Sequence, residues 1–128
     1  MEVRAIARQQ RISPLKAREV AREIQGLTAS RALDLLNFVP KKAATLIGKT
    51  LKSAVANAEH NNGLEPNTLV IKSAIVTEAR SLARITQRAK GSASPIKRRS
   101  SHITIVLTDE IPVPEPKAKS ASRRAAKP

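Results

Sequence analysis

The chain has 128 residues, with 24 Lys/Arg against 10 Asp/Glu and a formal net charge of +14. A field of that strength concentrates anions, so the expected partner is nucleic acid or an anionic membrane surface rather than a neutral small molecule. There is no cysteine, and the only histidines, His60 and His102, stand far apart, so disulfides and thiolate metal sites are excluded and no metal or cofactor is expected.

Residues 3–8, VRAIAR, alternate apolar and basic as a half-buried strand does. The N-terminal segment lacks the apolar run of a signal peptide. No stretch is long and apolar enough for a membrane span, so a cytosolic or organelle-matrix protein without membrane contact is expected. Ser13-Pro14 predicts a helix start, with Ser as N-cap and Pro at the first helical position. Leu15, Val20, Ala21 and Ile24 supply its buried stripe, and Gly26 ends it as the C′ residue. Thr28 caps a shorter second helix with Ala32, Leu33, Leu35 and Leu36 on its buried side.

The chain must leave the α region before Pro40. A third helix then runs to about Asn62, with Ala44, Ile47, Leu51, Ala54, Val55 and Ala58 in helical period and NNG at 61–63 as its stop.

LVIKSAIV at 69–76 and HITIVL at 102–107 are rich in β-branched residues and read as strands. The stretch between them is too long for a structureless loop in a small domain. Continued outward, residues 78–90 and 92–101 become the legs of a ribbon with its tip at Gly91–Pro95. Eleven or so residues per leg at ~3.3 Å each reach roughly 35 Å. An isolated ribbon is marginal in water, so the arm is expected to be mobile until a partner orders it.

Helices and strands in separate blocks give an α+β fold. Three helices pack on a small three-stranded antiparallel sheet, with a long protruding β-hairpin arm. Residues 1–111 form one domain that includes the arm at about 78–102. Residues 112–128, rich in Pro, Ala and Lys/Arg, have nothing to bury and are expected to be disordered or ordered only on a partner.

Chemistry concentrates in the arm. Arg80, Arg84, Arg88, Lys90, Lys97, Arg98 and Arg99 precede His102 with no acidic residue among them. A solvated charged loop is the plain explanation of a charge run. This run is single-signed, flanked by strands and seeded with the small residues Gly91, Ser92, Ala93 and Ser94, which let a backbone approach a partner closely; Pro95 stiffens the tip. Polyanion binding accounts for all of these features. His102 suits a phosphate contact or packing on its strand.

A second basic group is Lys16, Arg18 and Arg22, with Arg4, Arg8 and Arg11 before it, partly neutralised by Glu19 and Glu23. Phe38 is the only aromatic residue, so stacking on bases falls to Arg planes, and phosphate and sugar contacts dominate. Gly48–Thr50, GKT, is not a phosphate loop, because Ala43 stands where its other glycine is needed. His60 fits the last turn of the third helix. No spacing suggests a catalytic grouping, so no enzyme is expected.

RAKGSASPIKRRSSHITIVL resembles the arm of the bacterial-type large-subunit ribosomal protein twenty-two family, through Arg88, Ala89, Gly91, Ala93, Ile96, Arg98, Arg99, Ser101, His102 and Ile103. SPLKAR at 13–18 is similar to that family's first-helix opening, SAVANAEHNNGL at 53–64 to the end of its long helix, and the likeness spans about residues 3–109. The resemblance implies a structural constituent of the large ribosomal subunit that binds its ribosomal RNA and supports its folding. It further implies a globular part on the outer surface, neighbouring ribosomal proteins as partners, and a hairpin that contributes to the wall of the nascent-peptide exit tunnel.

Carried over by position, Arg84, Arg88, Lys90, Arg98 and Arg99 meet RNA backbone, and Gly91, Ser92, Ala93, Ser94 and Pro95 face the tunnel and the nascent polypeptide. Arg4, Arg8, Arg11, Lys16, Arg18, Arg80, Lys97 and His102 complete the expected RNA-binding set. The family usually has Gly-Pro where Ala79-Arg80 stand, often Pro at Gln87, a frequent Lys at Ala83 and Arg at Ser92.

The rival reading is an architectural DNA-binding protein whose β-ribbon arm enters the minor groove, with Pro95 wedging between base steps. It requires a dimer. Once the core is assigned no long apolar seam remains, so a homo-oligomer is not expected.

Overall fold

A computed structural model describes residues 1–112. The elements are β1 (Glu2–Gln10), α1 (Pro14–Ile24), α2 (Ala29–Phe38), α3 (Lys42–Asn62), β2 (Val70–Glu78), β3 (Leu82–Gln87), β4 (Ala93–Arg98) and β5 (Ser101–Thr108). β5 lies between β1 and β2 in an antiparallel three-stranded sheet, and β3 pairs with β4 in a separate antiparallel ribbon. The fold is α+β, as expected. The basic tail expected at 112–128 lies, from residue 113 on, outside the described residues.

Alternation decides which face of the sheet is buried. Val3 and Ala5 on β1, Ile103, Ile105 and Leu107 on β5, and Ile71, Ala74 and Val76 on β2 are buried under the helices. From above they meet Ala17, Val20, Ala21 and Ile24 of α1, Ala32 and Leu36 of α2, and Ala44, Ile47, Leu51, Ala54 and Ala58 of α3. The small alanines bring helix axes close to the sheet, and the large aliphatics fill what remains. Each large side chain buried this way contributes about 1.5–3 kcal/mol. The other sheet face carries no helix and shows Arg4, Ile6, His102, Thr104 and Ile75.

Leu15, expected on the buried stripe of α1, is 72% exposed instead. Pro14 and Ala17 occupy the inward positions of that first turn, and the helix is rotated so that its small residues meet the sheet. Leu35 is likewise exposed and Leu33 half-buried, while Ala29 joins Ala32 and Leu36 inside.

The outer edge of β2 is closed by its neighbours. Gly26 N–H donates to the Ile71 carbonyl and Ala29 N–H to that of Leu69, both at 3.0 Å. Gln25 Nε2 reaches the Ala74 carbonyl at 2.8 Å and Arg18 Nε that of Val76 at 3.1 Å. Gly26 makes this possible with φ +79, a backbone that side-chain-bearing residues rarely adopt.

The arm bends at its base. Glu78 pairs with Ser101, and the next ladder starts at Leu82 opposite Arg98, so Ala79–Ser81 on one leg face only Arg99 and Ser100 on the other. The extra residue makes a bulge, which kinks a ribbon and raises its twist. One backbone bond bridges the gap, Ala79 N–H to the Ser100 carbonyl at 3.0 Å.

The tip sits earlier than expected. Gln87 pairs with Ala93, Arg88 N–H closes the turn on the Ser92 carbonyl at 2.8 Å, and Ala89–Gly91 form a short turn with Lys90 (φ 59) and Gly91 (φ 71) both left-handed. Gly91 and Ser92 therefore belong to the tip, whereas Ala93, Ser94 and Pro95 lie within β4. Two consecutive left-handed residues reverse the chain sooner than the stiff Pro95 would.

Candidate nucleic-acid interface

Where the arm leaves the body, a cleft of roughly 990 Å³ opens between them. Its arm side is Leu82, Arg84, Lys97, Arg98, Arg99 and Ser100, and its body side Arg11, Ile12, Ser13, Lys16, Glu19, Lys41, Lys42 and Ala43. Eight of these residues are Lys or Arg and one, Glu19, is acidic.

Two helices start on this cleft, and neither is capped by a side chain. Ser13 takes the N-cap position of α1 without making the capping bond, and Lys41 holds that of α3. Neither first turn contains an acidic residue. By contrast Thr28, at the start of α2 away from the cleft, accepts from Arg31 N–H. Free N–H groups and the positive helix ends thus add to the field of the side chains, which suits a phosphodiester oxygen.

Lys41 and Lys42 did not figure among the sequence candidates. The signal was available: two lysines at the start of a long helix, where positive charge opposes the dipole, with no acid to offset them. Lys42 Nζ donates to the Arg11 carbonyl at 2.8 Å and Lys41 Nζ to Glu19 at 2.9 Å. The bond from Lys41 holds the Glu19 carboxyl below its ordinary value.

The arm has two unlike faces. Leu82, Arg84 and Thr86 share one with Arg98, Ile96 and Ser94; Ala83, Ile85 and Gln87 share the other with Lys97, Pro95 and Ala93. Leu82, Arg84 and Arg98 of the first face line the cleft, joined at the base by Lys97 of the second, so the arginines of the first face run on from the body. On the second face Lys97 is the single charge, and Ile85 is 76% exposed. Arg88 and Lys90 stand at the turn, where Arg88 Nε touches Ser94 Oγ at 3.4 Å.

The expected set therefore divides. Arg11, Lys16, Arg84, Lys97, Arg98 and Arg99 come together in the cleft. Arg4 lies on the helix-free sheet face with His102, whose Nδ1 accepts the Gln9 N–H at 3.1 Å in a bulge of β1 beside Arg8. Arg80 sits in the bulge at the arm's base. Arg18 is engaged as an edge cap of β2. Lys72, on the sheet face, is neutralised by Glu2, whose bond holds its ammonium above the ordinary value. Among the described residues no group of His, Asp and Glu could hold a metal ion, and no helix is long and apolar enough to cross a membrane.

The wedge expected of the DNA-binding reading is not at the apex: Pro95 pairs with Ile85 inside the ribbon, so it cannot enter a base step from the tip. A small α+β body whose cationic cleft runs into a cationic arm defines a protein that neutralises a folded polyanion. Residues 5–108 match the family described as Ribosomal protein L22p/L17e, and the chain belongs to that family. Similar relatives are each called Large ribosomal subunit protein uL22. That of Akkermansia muciniphila is 53% identical over 110 residues, 86% of this chain and 98% of that protein. That of Opitutus terrae is 48% identical over 109 residues, covering 85% and 96%, and that of Methylacidiphilum infernorum 49% over 110, covering 86% and 96%.

Proposed function

We propose that the chain is a structural, non-enzymatic constituent of the large ribosomal subunit, located in the ribosome and bound to its ribosomal RNA. The observation that carries this reading is the cleft: eight cations and two uncapped helix starts around one carboxylate. Phosphates from RNA segments that would otherwise repel are drawn together there and along the arginine face of the arm. Residues 1–111 act as one unit, with 112–128 as a basic extension.

The weakly charged face of the arm, with Ala83, Ile85, Gln87, Ala93 and Pro95, supports a role in the exit-tunnel wall. A surface that a nascent polypeptide must slide past works best when it offers little charge to hold it. Gly91 and Ser92 at the turn complete that face. Neighbouring ribosomal proteins are the further partners, and the chain acts as a single copy.

The test is binding to large-subunit ribosomal RNA fragments as ionic strength rises from about 50 to 200 mM, where affinity is expected to fall steeply. An affinity that does not change with salt, or duplex DNA that competes as well as folded ribosomal RNA, overturns the reading.

A further inference from the structure

The charge of this molecule is uneven, and where it thins the surface turns apolar. Phe38, the only aromatic side chain, is 86% exposed at the end of α2. Leu35, one turn earlier, is 37% exposed, and Leu15, one turn before Glu19 on α1, is 72% exposed. Between α1 and α2 runs a groove floored by Val20, Leu35, Leu36 and Val39. Its rim alternates in sign, with Glu19 and Glu23 against Arg22 and Lys41. Asp34, four residues before Phe38, shares its outward helix face. Three of the chain's 10 acidic residues, Glu19, Glu23 and Asp34, thus lie on the same two helices as the exposed Leu15, Leu35 and Phe38.

An RNA backbone has little to gain here. The rim has no net charge, and a carboxylate one turn from Phe38 repels the phosphates flanking any stacked base. Exposed apolar side chains ringed by mixed charge have the composition of a protein contact.

We propose that the α1–α2 groove docks a neighbouring protein of the particle. The docked segment places an apolar side chain against Phe38 and Leu35 and turns Lys or Arg toward Glu23 and Asp34. This inference rests on the large-subunit reading above. Charge complementarity selects the occupant, since Glu23 and Asp34, which make no ion pair among the described residues of a molecule of charge +14, are matched by a basic segment. A second copy is opposed by that same charge. Residues 113–128 are basic enough, but beyond Val113 their apolar residues are alanines and prolines, too small to fill the groove.

The experiment is photocrosslinking in assembled large subunits, with a benzophenone amino acid in place of Phe38 in the full chain. The expected product is an adduct with one ribosomal protein, mapped to a peptide that carries Lys or Arg. An adduct with RNA, with residues 113–128, with a second copy, or no adduct at all overturns the inference.

A second readout is the Glu23→Lys, Asp34→Lys double variant, checked for folding by circular dichroism. In competition with the wild-type chain for places in the particle, its occupancy is expected to fall severalfold. Equal or higher occupancy, the result an RNA partner would give, also overturns the inference. Failure of the wild-type chain to enter large subunits would bring down the functional reading itself, whereas entry with an RNA adduct at position 38 would remove the docking proposal alone.

Discussion

Lys42 Nζ donates to the main-chain carbonyl of Arg11 at 2.8 Å, joining the start of α3 to the end of β1 at the mouth of the cleft. The ammonium is held by a dipole rather than by a carboxylate, so its charge remains free to attract phosphate. Lys42→Met is expected to weaken binding to ribosomal RNA fragments and to lower the slope of log K against log salt by about 1. Lys49→Met, elsewhere on α3, should leave that slope unchanged. A fluorescence titration at several salt concentrations measures both.

The two faces of the arm predict unequal effects. Arg84→Ala and Arg98→Ala, on the face continuous with the cleft, are each expected to remove one phosphate contact and to reduce the salt slope by about 1. Ile85→Ala and Gln87→Ala, on the opposite face, should alter neither affinity nor slope. Equal losses on both faces would mean that RNA wraps the ribbon all round.

Replacing residues 82–98 by a two-residue Asn-Gly turn, a sequence suited to tight hairpins, should leave the body folded, because no residue in that span is buried. Cooperative thermal unfolding is the measurement for the body, and sedimentation with large subunits is the one for assembly. The shortened protein is expected to melt as one unit and to be depleted from the particle.

Ser101 is fully buried, and its hydroxyl has no hydrogen-bond partner among the described residues. An unmade bond of that kind costs roughly 1–3 kcal/mol, so Ser101→Ala should be neutral or stabilising. Ile103→Ala, two residues along the same strand and face, should cost about 2–5 kcal/mol through the cavity it leaves. Urea denaturation of the isolated protein separates the two outcomes.

Lys41 keeps the Glu19 carboxyl below its ordinary value. A group depressed in the folded state contributes stability that is present above its unfolded value and disappears as pH falls through the folded one. Glu19→Gln should therefore differ from wild type near neutrality and converge with it as pH falls below the ordinary carboxylate range, by a small margin because the pair is exposed. The same change frees Lys41 and removes the only carboxylate from the cleft, so RNA affinity should rise. Urea midpoints across pH and RNA titrations near neutrality check the two effects.

Much of this fold was legible because its elements have strong periods and clear ends. The long helix keeps its apolar spacing from Ala44 to Ala58 and stops at Gly63, which the structure places in the left-handed region. β5 alternates without a break from Ser101 to Leu107. Leu15 falls near the spacing of the apolar stripe of α1, but Pro14 and Ala17 take the inward positions of that turn. The small residues and proline of Gly91–Pro95 suit a tip, but the left-handed pair Lys90-Gly91 reverses the chain at the start of that stretch and leaves Ala93–Pro95 in β4.

The arm's charge could be read from composition alone. The cleft could not, since it depends on the loop before α3 and the base of the arm facing each other across one space. Nor does the sequence alone reveal that Phe38 lies outside the core, at the exposed end of α2.

The bulge at Ala79–Ser81 has a further consequence. With one backbone bond between two separate ladders, the body is complete before the arm has anything to lie against. On the proposed reading, assembly is then expected to proceed in order: the body lands first and sets the entry point, and the arm follows as the nucleic acid closes around it. A stiff, unbroken ribbon would have to find its final direction in the first encounter, whereas a jointed one can correct its aim.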